Sequence, residues 1–175
     1  MVCNTIEAKN QTVFYATQAR DNAPHYEHSK IGYNYRMSNI SAGIGRGQME
    51  VLDKHIGLRR DMNTFYVNLF KNIKGIEVQK QPNTDFYSNF WLSCILIHEE
   101  APFTKAQFQK AMEAANIETR PLWKPMHMQP VFKTAIYYGD NLSEVLFKKG
   151  LCLPSGSNLI KEDLDRITKV VKGLL

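Results

Sequence analysis

One helical stripe constrains this chain more than any other feature. Ile40, Ile44, Val51, Leu52, Ile56, Met62, Tyr66, Leu69 and Phe70 recur at helical spacing between residues 40 and 73. Ser38 or Asn39 stands before the run as a good N-cap, and Gly75 ends it. The spacing predicts one long helix. Gly43, Gly45 and Gly47 fall in its first part, and each costs about 1 kcal/mol against Ala in a helix interior. Close approach of another backbone is the simplest compensation, and a kinked or broken helix is the alternative.

The flanks read differently. Residues 1–4 read as the end of a strand, residues 5–20 as a helix, and residues 21–37, with Pro24 and Gly32, as an extended loop. A loop of that length in a compact domain is usually functional. After Gly75 the pattern switches. "IEVQKQ" and "NFWLSCILI" read as strands, and "TKAQFQKAMEAAN" as an amphipathic helix capped by Thr104. "IETRPLW" reads as a strand that Pro121 confines to an edge or end. "KPMHMQPVF" reads as a loop, "NLSEVLFKKG" as a short helix ended by Gly150, "LCLP" as a strand and "EDLDRITKVVKGLL" as a closing helix. The fold class is α/β: a long helix, then a small α+β domain with a mixed sheet and flanking helices.

Composition narrows the function classes. No run of eighteen apolar residues is present, so no membrane-spanning helix is expected. Cys3, Cys94 and Cys152 are odd in number and widely spaced, which suits neither a disulfide framework nor a zinc site and fits a reducing, cytoplasmic compartment. The net charge of +5 suits an anionic ligand. Basic residues are scattered among acidic ones, however, with Arg59-Arg60 and Lys148-Lys149 as the densest pairs, so bulk nucleic-acid binding is discounted. His25 and His28 have no partner cluster for a metal, and Ser155 lacks the setting of a nucleophile elbow.

Two clusters could carry chemistry. In "GYNYRMSNI", Asn34 offers amide donors and Arg36 a planar fork for phosphate or carboxylate, just before a helix N-terminus that favours anions. Tyr33 and Tyr35 could add hydroxyls or stacking faces. A packing loop with Arg36 in an ion pair fits the residues equally well. In "RPLWKPMHMQP", Arg120, Trp123, His127 and Gln129 lie together between prolines. They form either a substrate-facing wall or an ordered surface loop over a buried Trp123.

At these clusters the sequence resembles the DegT/StrS family of pyridoxal-phosphate-dependent nucleotide-sugar aminotransferases, of the fold type I architecture. The matching pieces are "GYNYRMSNISAGIGRGQMEVL", "RRDMNTFY", "ETRPLWKPMHMQPVF", "LFKKGLCLPSG" and "EDLDRITKVV", in the family's order. The stretch "QARDNAPHYEHSKIGYNYRMSNI" is similar to members that aminate C4 of a UDP-linked 4-keto-6-deoxy-N-acetylhexosamine, in bacterial surface-sugar synthesis. The resemblance implies that the GYNYR loop crosses a homodimer interface. Asn34 would bind the cofactor phosphate there. Arg36 would lie near the nucleotide-sugar's negatively charged groups or order the loop, with Tyr33 beside the substrate. His127, Trp123 and Gln129 would line the sugar-nucleotide pocket. Residues 1–37 would be the last strand, helix and phosphate loop of the large domain, 38–74 the connecting helix, and 75–175 the small domain.

The family's Schiff-base lysine stands in an S-F-x-x-x-K context that these residues do not contain. The resemblance therefore implies that the lysine lies upstream, that no catalytic residue is present here, and that the chain alone neither holds pyridoxal phosphate covalently nor transaminates. Glutamate is the family's usual amino donor. Lys30 reads as a solvated charge. Residues 5–18 and the long helix should expose apolar surface and drive self-association. A rival reading is a binding module that takes nucleotide sugars or single-stranded nucleic acid on Tyr33, Tyr35, Arg36 and Trp123, by stacking plus charge.

Overall fold

The computed structural model describes residues 2–175, and these form two compact units, Met1–Val51 and Leu52–Leu175. The first holds helix α1 (Ile6–Ala16), a long loop and helix α2 (Asn39–Glu50). Thr5 caps α1 by accepting the Ala8 N–H at 3.1 Å. The helix stops at Ala16 rather than running to residue 20, because Gln18 and Ala19 adopt positive φ. The Ala19 N–H then returns to the Phe14 carbonyl at 2.9 Å, the closure typical of a left-handed cap. Residues 2–4 form no strand. A strand needs a pairing neighbour, and none of the described residues runs beside them. Met1 lies outside the described residues.

The stripe expected as one helix over 40–73 is two helices, α2 and α3 (Leu52–Phe70), separated at Val51. Ser38 caps α2 by accepting the Ser41 N–H. Val51 has φ −114° and ψ 5°, and its N–H is shared between the Gln48 and Met49 carbonyls. The physical reason is local. The glycines lower helix propensity, and α2 buries no residue that could hold it straight. A Cβ at Gly43, Gly45 or Gly47 would meet nothing within 4 Å, so the close approach expected for these glycines does not occur among the described residues.

The second unit is built on a four-stranded sheet of β1 (Ile76–Val78), β2 (Ser93–Ile97), β3 (Arg120–Pro121) and β4 (Gly150–Leu153), in the order β1-β2-β4-β3. Every neighbouring pair is antiparallel, where a mixed sheet was expected. The cause is topological. β2 and β3 run the same way around α4 (Lys105–Ala114), but β4 inserts between them and pairs with both. Pro121 sits on the edge strand, where its missing N–H costs no ladder bond. Strands β1 and β2 are shorter than their sequence runs, since residues 80–92 turn away after the Gln79 N–H donates to the Cys94 carbonyl. The 125–132 loop contains two short 3-10 turns, Met126–Met128 and Pro130–Phe132.

Strand pleating separates the two faces. Ile95, Ile97, Leu151 and Leu153 point one way and join Tyr66 and Phe70 of α3, Phe108 and Met112 of α4, and Ile167 and Val171 of α6 (Lys161–Lys172) in one core. Cys94 and Cys152 face each other across the ladder on the other side of the sheet, their Sγ atoms 3.8 Å apart, and α5 (Leu142–Lys149) packs on these two strands. Helix α4 is closed at both ends: a Thr104–Gln107 capping box opens it. Asn116, at φ 54°, closes it, with the Ile117 N–H on the Met112 carbonyl and the Asn116 N–H on that of Glu113. Gly75 combines φ 79° with a backbone approach that would set a Cβ 2.4 Å from the Ala101 nitrogen, so no other residue fits.

Candidate functional site

In the first unit the GYNYR loop is stitched to the end of α1. Thr17 and Asn34 form an antiparallel bridge, the Gln18 N–H donates to the Tyr33 carbonyl, and the Tyr35 N–H donates to that of Ala16. Gly32 makes this possible, because a Cβ there would lie 2.6 Å from the Ala19 nitrogen. Within the loop the Asn34 Oδ1 accepts the Arg36 N–H at 3.1 Å. That bond fixes the amide: the oxygen is used, and the exposed NH2 remains to donate. Arg36 is exposed and forms no ion pair among the described residues, so the packing-loop reading loses its salt bridge. Tyr33 and Tyr35 lie 5.9 Å apart between ring centroids, both exposed. The neighbouring histidines have local partners: His25 lies 3.4 Å from Glu27, and His28 faces the Gln18 carbonyl.

In the second unit the 120–130 residues separate. Arg120 turns to Glu118, its Nε 2.8 Å from Oε1, and that hydrogen bond and charge raise the guanidinium's already high pKa. It belongs to the exposed end of β3 rather than to a pocket. His127 is held on two sides. Its Nε2 is 3.1 Å from the Glu144 Oε1 of α5, and the Tyr137 ring stacks on it at 3.8 Å and 21°. Gln129 is half-buried and donates its backbone N–H to the Met126 carbonyl. Trp123 is 67% exposed, which removes the reading of a buried packing tryptophan. It meets Trp91, with centroids 6.2 Å apart.

Sequence reasoning missed Trp91, Tyr137 and Glu144. Trp91 sits in a run with strand composition, and nothing local shows that the chain leaves the ladder before it. Glu144 lies on another element, and no spacing rule links it to His127. The Arg59-Arg60 pair was visible, but not its task. Arg59 donates to the carbonyls of Trp91 and Ser155, and Arg60 to that of Ser88. Ser155 is buried, with its hydroxyl bound between the Leu153 carbonyl and the Ser93 N–H, a structural role.

Among known families, residues 3–172 match the DegT/DnrJ/EryC1/StrS aminotransferase family. The chain belongs to that family. EpsN of Bacillus subtilis, assigned as a pyridoxal phosphate-dependent aminotransferase, is 40% identical over 98% of this chain and 44% of its own length. A GDP-perosamine synthase of Vibrio cholerae is 31% identical over 84% of this chain and 40% of its own. Among solved structures, the aminotransferase TlmJ of Streptoalloteichus hindustanus superposes with a TM-score of 0.81 at 15% identity, covering 98% of this chain and 45% of that one. Helicobacter pylori PseC, an aminotransferase of pseudaminic acid biosynthesis, gives 0.79 at 19% identity, over 99% and 47%. The chain thus spans under half the length of these relatives.

The family's enzymes use pyridoxal phosphate. Asn34 fits that group's phosphate, since the Arg36 N–H on its oxygen orients the amide and leaves the exposed NH2 with two donors for an anion. Burial lowers the pKa of Lys105, but its ammonium donates to the Phe147 carbonyl at 2.8 Å and lies over that ring.

Proposed function

We propose that these residues are the C-terminal part of a pyridoxal-phosphate-dependent aminotransferase that aminates a nucleotide-linked keto-sugar for a bacterial surface glycan. The expected substrate is a UDP-linked 4-keto-6-deoxy-N-acetylhexosamine, with glutamate as donor. The observation that carries this reading is the family match across residues 3–172, which includes both the GYNYR loop and the His127 segment. Relatives named for GDP-perosamine and for dTDP-4-amino-4,6-dideoxy-D-glucose support an amino group placed on a nucleotide-linked 6-deoxy sugar. They also make the nucleotide the point that needs testing.

In this reading the cofactor supplies the electron sink for moving the amino group. The chain's own residues bind and orient. Asn34 donates to the cofactor phosphate across a homodimer interface, and Arg36 and Tyr33 meet the substrate's diphosphate. His127, braced by Glu144 and Tyr137, binds the sugar, with Trp123 and Gln129 beside it. The Schiff-base lysine belongs to the part of the relatives' length that these residues do not span.

Borohydride reduction with pyridoxal phosphate and peptide mapping tests the lysine. The expected result is no stoichiometric label on any lysine of residues 1–175. A single labelled lysine here, released by glutamate, overturns that assignment. Amination of UDP-, GDP- and dTDP-linked keto-sugars by the complete enzyme that carries the Schiff-base lysine, followed by mass spectrometry, tests the substrate. In the same complete enzyme, Asn34→Ala should weaken cofactor retention roughly tenfold or more, as expected for a lost hydrogen bond to a charged group. Unchanged retention would remove Asn34 from the site.

A further inference from the structure

We propose that Trp91 and Trp123, backed by Arg60, form the platform on which the nucleobase of the nucleotide-sugar stacks. This rests on the nucleotide-sugar reading above, and assigns one part of that substrate to one wall of the second unit. The two indoles are 62% and 67% exposed, and their planes are tilted by 38°. Together with Tyr87 and Phe86 they border a cavity of about 450 Å³, a size suited to a small-molecule site.

The wall is built rather than loose. The Arg59 Nη1 donates to the Trp91 carbonyl at 2.7 Å and to that of Ser155 at 3.0 Å, which ties the tryptophan's backbone to the strap after β4. The Asn89 side chain accepts the Trp91 N–H at 3.0 Å. The Arg60 guanidinium binds the Ser88 carbonyl and lies 4.2 Å from the Tyr87 ring centre. So the loop before β2 holds its aromatic side chains out to solvent from fixed anchors.

The charge around the wall selects the ligand. Lys80 lines the cavity, and no carboxylate does. Arg60 forms no ion pair among the described residues. Flat aromatic faces beside uncompensated positive charge suit a planar base that carries phosphate. A sugar or an aliphatic chain would use the faces but not the charge.

The chain has two tryptophans, so the indole N–H resonances of isotope-labelled protein report on this wall alone. Trp91→Phe and Trp123→Phe assign them. Titration with UDP, GDP or dTDP should shift at least one resonance upfield and saturate, while ribose 5-phosphate and pyrophosphate should not. Trp123→Leu should weaken the binding roughly tenfold, and Trp123→Phe should restore most of it. Indoles that ignore every nucleotide, that respond equally to ribose 5-phosphate, or that move with protein concentration instead overturn the platform. The last result would assign the wall to a second copy of the chain. Stacking does not depend on turnover. Nucleotide-induced shifts, with no amination of any keto-sugar by the complete enzyme that carries the Schiff-base lysine, would sink the proposed activity and leave the platform, and amination with unmoved indoles would do the reverse.

Discussion

Residues 2–51 and residues 52–175 are held by different forces. In the second unit, aromatic and aliphatic side chains from α3, α4 and α6 close over one face of the sheet, and Tyr66, Phe108, Met112 and Val171 are wholly removed from water. In the first, Ala19 is the only buried apolar residue among those described, and α1 and α2 bury none. What shapes that unit is hydrogen bonding: the Thr5 and Ser38 caps, the Thr17–Asn34 bridge, and the Asp21 carboxylate on Ser29. Meanwhile Met37, Ile40, Ile44 and Met49 remain exposed. Hydrophobic burial dominates folding free energy, so the second unit carries its own stability. The first depends on apolar surface it has yet to cover, consistent with the proposed homodimer and with the chain's spanning under half of its relatives.

The comparison breaks most visibly at Phe108. It packs between Phe70 and Phe103 with no exposure, and Phe108→Ala should cost about 3–5 kcal/mol in urea unfolding. Val13→Ala in the first unit, at a side chain half in water, should stay within about 0.5 kcal/mol. Similar costs at the two sites would show that residues 2–51 are packed as tightly as the rest.

Gly32→Ala probes the hydrogen-bonded unit where it has least room. The new methyl would overlap the Ala19 backbone, so the Thr17–Asn34 bridge must open, at a cost of about 1–3 kcal/mol locally. Faster hydrogen exchange at the Gln18 and Tyr35 amides would register it, with the amides of β2 unchanged. If the β2 amides also lose protection, the two units fold as one.

The same contrast explains what the sequence made legible. Short-range chemistry was readable: Ser38 and Thr104 as caps, Pro121 on an edge strand. Each depends on atoms a few residues apart. Gly75 was not the stop expected, since α3 ends at Phe70 and Gly75 makes the turn into β1. The core stripe of α3 was readable because burial enforces its period. The break at Val51 was not, because the stripe continues past it and α2 has no buried face to reveal a change. The insertion of β4 between β2 and β3 was equally hidden, since pairing partners far apart in sequence leave no local mark. At the candidate site, Asn34, Arg36, Trp123 and His127 were named as candidates from residue type and family resemblance. Their supports, Trp91, Tyr137 and Glu144, come from separate elements that only the fold brings together.

The remaining expected effect is alkaline, and it too separates the units. Burial, aided by the neighbouring Cys152, pushes the Cys94 thiol up to about 12 from 9.0. Burial also raises the Tyr66 hydroxyl above its usual 10.0, and that group donates to the Pro154 carbonyl at 2.8 Å. Both groups lie in the second unit. Each keeps its proton more tightly when folded, so between the unfolded and folded values the native state binds more protons and stability falls as pH rises. The decline should begin near pH 9 through Cys94 and steepen past pH 10 as Tyr66 joins. Each group contributes at most about 1.4 kcal/mol per pH unit. Tryptophan fluorescence in urea, from pH 8 to 11, reads the second unit alone, since both tryptophans lie there. Cys94→Ala should delay the decline to the tyrosine range. A decline that starts below pH 9, or that keeps its onset in Cys94→Ala, would place the controlling group outside the buried sheet.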